Sequence, residues 1–151
     1  MYKFGMYHSQ LTNSDIKKLR DELANDYGIK IIFSKEKNMI MTPGVDGLNL
    51  TIGDFILNGV KITQLEEAKI ISVAYNKLMI NKFGEEYKTN LNSVLNNNIN
   101  EYKAHLSMLA DEKRVEIKRQ KINAFMNFYE NILDGVNGKQ STQEKSMDFD
   151  L

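Results

Sequence analysis

From residue 63 to residue 134 the chain contains no proline and a single glycine, Gly84. Proline removes a backbone donor and clashes with the preceding turn, and an interior glycine costs about 1 kcal/mol relative to alanine. A span of this length with so few breakers is committed to helix. Its apolar residues fall three and four apart: Leu65, Ala68, Ile71, Tyr75, Leu78 and Met79 form one face, and Ile70, Val73, Ala74 and Ile80 widen it. Such a helix is predicted to be central and buried. Gly84 is its natural stop.

Ahead of this region the pattern is different. Residues 12–26 read as a helix with Thr12 or Asn13 as N-cap, the apolar positions Ile16, Leu19 and Leu23, and Gly28 as terminator. Ile29-Lys30-Ile31-Ile32-Phe33 and Asn38-Met39-Ile40-Met41 flank a polar turn as a hairpin would. Pro43-Gly44 and Asp46-Gly47 mark a loop, and Leu48-Asn49-Leu50-Thr51-Ile52 alternates as a half-buried strand. Asn58-Gly59 suggests a further hairpin between 55–57 and 60–62, and residues 2–7 a short strand joining the same sheet. Thr63-Gln64-Leu65-Glu66 has the form of a capping box that opens the helical region.

After Gly84 a second helix is expected from Glu85 or Glu86 to about residue 134. Leu95, Ile99, Tyr102, Leu106 and Leu109 give it a coiled-coil-like seam, which then runs into Lys113, Glu116 and Gln120. The seam is too short for a rod, so packing within the domain or on one partner segment is expected. The Asn96-Asn97-Asn98 run is the expected weak point, because asparagine competes for backbone hydrogen bonds. From Val136 onward the residues are mostly polar and cannot bury enough apolar area to offset ordering entropy, so the tail is predicted to be disordered. The fold class is α+β: a small antiparallel sheet with one early helix, a dominant long helical hairpin, and the tail. The expected divisions are a small α+β region at 1–62, a helical region at 63–135 and a flexible tail at 136–151.

Composition narrows the function classes. Twenty basic and twenty acidic side chains cancel, so no global field recruits nucleic acid or an anionic membrane. The absence of cysteine removes disulfides and thiolate chemistry. The opening residues Met1-Tyr2-Lys3-Phe4-Gly5-Met6-Tyr7-His8 lack a continuous apolar run, and no stretch has the ~18 apolar residues of a membrane helix, so a cytoplasmic location is expected. The lysine and asparagine bias suits an AT-rich genome, a phage or a mobile element.

Catalytic chemistry is not legible. His8 and His105 are the only histidines and share no metal-ligand spacing. Gly44-Val45-Asp46-Gly47 lacks the lysine and hydroxyl residue of a phosphate loop. Glu66, Glu67, Glu85 and Glu86 fall in first helical turns, where negative charge complements the helix dipole. No catalytic residue, cofactor or metal is therefore expected.

Three segments point to binding instead. Residues 113–121 carry Lys113, Arg114, Lys118, Arg119 and Lys121 against one acid, with Arg114, Lys118 and Lys121 on one helix face, where they could contact phosphates. Phe125, Met126, Phe128, Tyr129, Ile132 and Leu133 form an apolar patch from which Phe125, Met126 and Tyr129 could dock a partner helix or a second copy. In the terminal peptide Met147, Phe149 and Leu151 alternate with Asp148 and Asp150. Ser146-Met147-Asp148-Phe149-Asp150-Leu151 resembles the C-terminal peptides by which replication and phage late-transcription proteins bind a DNA sliding clamp. The likeness covers six residues, lacks the usual leading glutamine, and has Asp150 where those tails commonly carry a hydrophobe. It implies a protein partner held by Met147, Asp148, Phe149 and Leu151. The expectation is a non-enzymatic adaptor or assembly protein, with nucleic-acid association through the basic segment and inhibition of a host enzyme as alternatives.

Overall fold

The computed structural model describes residues 4–34, 36–44, 47–51, 60–109 and 116–138. The fold is α+β, with five α-helices and one three-stranded antiparallel sheet among the described residues. Met1–Gly84 gathers into one compact unit and Glu85–Leu151 into another, so the first long helix belongs with the sheet.

The first unit opens with helix α1 (Phe4–Ser9), where the sequence suggested a strand over 2–7. Burial explains the difference. Tyr7 and His8 are adjacent and both inside, at 3% and 0% exposure, whereas neighbouring strand residues face opposite sides. Helix α2 (Asn13–Tyr27) begins as predicted. The Asp15 N–H donates to Thr12 Oγ1 at 3.1 Å and the Thr12 N–H donates to Asp15 Oδ2 at 3.0 Å, which makes a capping box. Ile16, Leu19 and Leu23 are buried, and Gly28 ends the helix at φ 68°, a conformation only glycine adopts cheaply.

Strands β1 (Ile32–Ser34), β2 (Met39–Met41) and β3 (Asn49–Thr51) form the sheet in that order. Phe33 pairs with Ile40, and Ile40 with Leu50; Ile40 and Leu50 are buried. The first hairpin and the third strand thus form where expected, each shorter than its apolar run. The Asn58-Gly59 turn and its 55–57 flank lie outside the described residues. Its other flank is not a strand: Val60 is buried, and a 3₁₀ turn starts at Ile62.

That turn also moves the cap. Thr63 and Glu66 do not form the expected box; the Lys61 N–H donates to Gln64 Oε1 at 3.0 Å, and helix α3 (Leu65–Phe83) follows. The helix buries Ala68, Ile71, Ala74, Tyr75 and Met79, together with the polar Ser72 and Asn76. Asn76 Nδ2 donates to the Ser72 carbonyl at 2.8 Å, whereas the buried Ser72 Oγ has no hydrogen-bond partner among the described residues. Gly84, at φ 78°, closes it.

In the second unit the single long helix expected from residue 85 to about 134 is divided. Helix α4 (Glu85–Met108) and helix α5 (Glu116–Val136) pack on each other. Their direction is antiparallel, since Asn92 meets Asn137 while Tyr102 meets Phe125 and Tyr129. The physical reason lies in the seam: past Leu109 its register falls on charge, so the apolar face of α5 is covered only by turning back on α4. Asn96–Asn98 does not break α4, which is continuous through the run. No helix among the described residues is long and apolar enough to cross a membrane.

Candidate interaction surface

The two ends of the hairpin differ. Tyr87, Leu91, Leu95 and Ile99 of α4 are buried at successive spacings of four, and Phe128, Tyr129, Ile132 and Val136 of α5 are buried as well. Toward the turn coverage thins. Tyr102, Leu106 and Leu109 are half-buried, and Met108 and Ile117 are 81% and 78% exposed.

An aromatic group occupies the transition. Tyr102 stacks on Tyr129 with ring centroids 5.9 Å apart and lies 6.3 Å from Phe125, and His105 meets it edge-on at 6.4 Å. Lys121 Nζ stands 5.9 Å over the Phe125 ring, where a cation gains from the negative face of the π system. Desolvation raises the Tyr102 hydroxyl above its ordinary pKa of 10, with the nearby Glu101 carboxylate adding to the effect. Burial first, then Tyr102 and Glu101, push Tyr129 up as well. Both phenols are therefore neutral donors at physiological pH.

The residues singled out in the sequence are distributed unevenly over this surface. Tyr129 is 3% exposed and serves the hairpin itself, whereas Phe125 and Met126 are half-buried and present an edge. Arg119 pairs with Glu116 at 3.8 Å; Lys118 and Lys121 are exposed. Lys113, Arg114 and the terminal Met147, Asp148, Phe149 and Leu151 lie outside the described residues. Ile117 precedes Lys121 by four residues on α5, whereas exposed Met108 and His105 lie on α4 and come to the same end of the hairpin only because the two helices pair.

In the first unit His8 packs among aromatic rings. His8 is fully buried, its Nδ1 lies 3.1 Å from the Tyr75 hydroxyl, and its ring stacks on Phe33 at 4.9 Å. Burial raises the Tyr75 pKa, so the phenol stays protonated beside it. The Gly44 and Gly47 loop borders a depression of about 400 Å³ with Lys30, Pro43 and Glu67 on its rim. Gly47 is required there because a Cβ would overlap the Thr42 carbonyl oxygen. No group of three or more acidic or histidine side chains is placed to hold a metal among the described residues.

Comparison with family models, with curated proteins and with solved structures finds no match to this chain.

Proposed function

We propose that this protein is a non-enzymatic adaptor that holds another protein through its terminal peptide, and that a DNA sliding clamp is the partner. The observation that carries the reading is the alternation of Met147, Phe149 and Leu151 with Asp148 and Asp150, which presents one apolar and one acidic edge when extended. An extended peptide of this kind binds a groove by filling pockets with alternate side chains. The polar stretch between Gly138 and Met147 acts as a tether that gives the peptide a high local concentration once the helical hairpin is held in the same complex. The half-buried Phe125 and Met126 support that second contact.

The test is binding of the full chain to a purified bacterial sliding clamp, beside Phe149→Ala and a chain ending at Lys145. The reading requires at least a tenfold loss of affinity in both variants with the thermal midpoint held within about 2 °C. Equal affinity of all three, or no binding by any, removes the clamp. Recovery of the same proteins from host extract with and without residues 146–151 removes the adaptor role of the tail.

A second reading, nucleic-acid association, is favoured by Lys121 standing over Phe125 beside Tyr102, since cations interleaved with aromatic rings suit a single strand. Titrating labelled single-stranded DNA at two salt concentrations decides it. Phosphate contacts by Lys118 and Lys121 make affinity fall steeply with salt, and no binding at low salt removes this reading.

A further inference from the structure

The exposed residues at the turn end of the hairpin share one face. Met108 follows Tyr102 by six residues and Ile117 precedes Tyr129 by twelve. At ~100° per residue each is turned about a third of a revolution from its stacked tyrosine, in the same chain sense. In an antiparallel pair equal rotations of that kind fall on the same side. Lys121 reaches that side as well, because it lies over Phe125. The face thus holds two large apolar side chains in the open, with Lys121 on α5 and the exposed Glu101, two turns before Met108, on α4.

We propose that the terminal peptide of this same chain, Met147-Asp148-Phe149-Asp150-Leu151, docks on this face in cis. Its apolar edge covers Met108 and Ile117 while Asp148 and Asp150 meet Lys121. Two features select this occupant. Its charge is complementary, Asp148 and Asp150 against the exposed Lys121. Its reach is also sufficient: the span of α5 from Val136 back to Ile117 is about 30 Å, and residues 139–149 extend about 36 Å. A tether of that length holds the peptide at millimolar effective concentration, so a contact too weak to form between separate molecules is populated within one. A second copy of the face sets Glu101 against Lys121, whereas the peptide brings two acids alternating with three apolar side chains.

The docking is independent of any outside partner. Where the clamp reading also holds, the contact masks the clamp-binding side chains until the clamp displaces them.

The methyl resonances of Met108 and Ile117 report it. Both are expected to shift between the full chain and a chain ending at Lys145, and the shift should be unchanged on dilution. Phe149→Ala abolishes it, Lys121→Glu reduces it, and combining Lys121→Glu with Asp148→Lys and Asp150→Lys restores it. Identical methyl positions with and without the peptide overturn the proposal, as does a shift that fades on dilution, which assigns the contact to a second copy. Failure of the triple variant to recover the shift overturns the charge match. Clamp binding is read in a separate assay, so loss of either result leaves the other standing.

Discussion

The two units of this chain reach their cores by opposite routes. In Met1–Gly84 the contacts that matter join residues far apart: His8 meets Tyr75, and Asp15 meets Lys82, each across 67 positions. In Glu85–Leu151 the partners are two successive helices with one interface between them. A sheet flanked by helices encloses side chains from several directions, and Leu23, Ile71, Tyr75 and Met79 reach 0% exposure. A two-helix hairpin has one covered face, so Phe125, Met126 and Leu133 remain half-exposed. The first arrangement closes a core around such side chains, although Met6, Tyr27, Ile32 and Ile62 stay about half exposed at its surface. The second leaves Met108 and Ile117 open to solvent at 81% and 78% exposure.

The contrast is tested most severely by equal truncations. Leu23→Ala opens a cavity in the first unit and is expected to cost about 2–5 kcal/mol, read from the urea midpoint. Leu133→Ala removes the same atoms from a half-buried site, where water already has access, and should cost about 1 kcal/mol. Similar losses at both positions would break the comparison. Next in size is Tyr75→Phe, which keeps the ring against Phe33 and removes the hydroxyl next to His8 Nδ1. A loss of about 1–2 kcal/mol is expected, and a neutral result would mean that packing alone holds α1.

How much of this was legible follows from the range of the interactions. The Thr12 cap, the Gly28 and Gly84 stops, the first hairpin and the apolar face of α3 all depend on residues within a few positions of each other, and each could be read directly. The helix at Phe4–Ser9 could not, because Tyr7 turns inward only to meet Phe83 and His8 only to meet Phe33 and Tyr75. The division of the long helix was half visible: the seam was seen to end at Leu109, but nothing local stated that α5 returns along α4. The candidate surface suffered most. Lys121 and Phe125 were each recognisable, whereas the contact of Phe125 and Tyr129 with Tyr102 exists only across the hairpin.

A smaller effect isolates electrostatics in the first unit. The Lys82 ammonium, 2.5 Å from the Asp15 carboxylate, and then the Thr12 N–H lower the Asp15 pKa from 3.8 to about 2. The folded value lies below the unfolded one, so the stabilisation is complete above pH 3.8 and is lost as pH falls toward about 2. The pair is partly exposed and screened, which limits its worth to about 1 kcal/mol. Asp15→Asn should lower the stability at neutral pH by that amount, read from the urea midpoint, and flatten the acid limb of the stability profile. An unchanged acid limb would assign the acid sensitivity to other carboxylates.

The smallest effect has the opposite sign and belongs to the hairpin. Asn98 Nδ2 is buried without a hydrogen-bond partner among the described residues, in the middle of α4 between the buried Leu95 and Ile99. A buried donor left unmet costs free energy, and asparagine is also a poorer helix former than leucine. Asn98→Leu removes both penalties with a side chain of the same branching, and α4 should gain about 1 kcal/mol, seen as a higher urea midpoint at unchanged slope. The same change in the first unit, at Asn76, is expected to destabilise, because its Nδ2 already donates to the Ser72 carbonyl inside a filled core. Opposite signs at these two asparagines would separate a donor already met inside a core from one left unmet at the helix interface. A loss at both would mean that Asn98 finds a partner when the whole chain is folded, and that the hairpin is more completely covered than its exposed Met108 and Ile117 indicate.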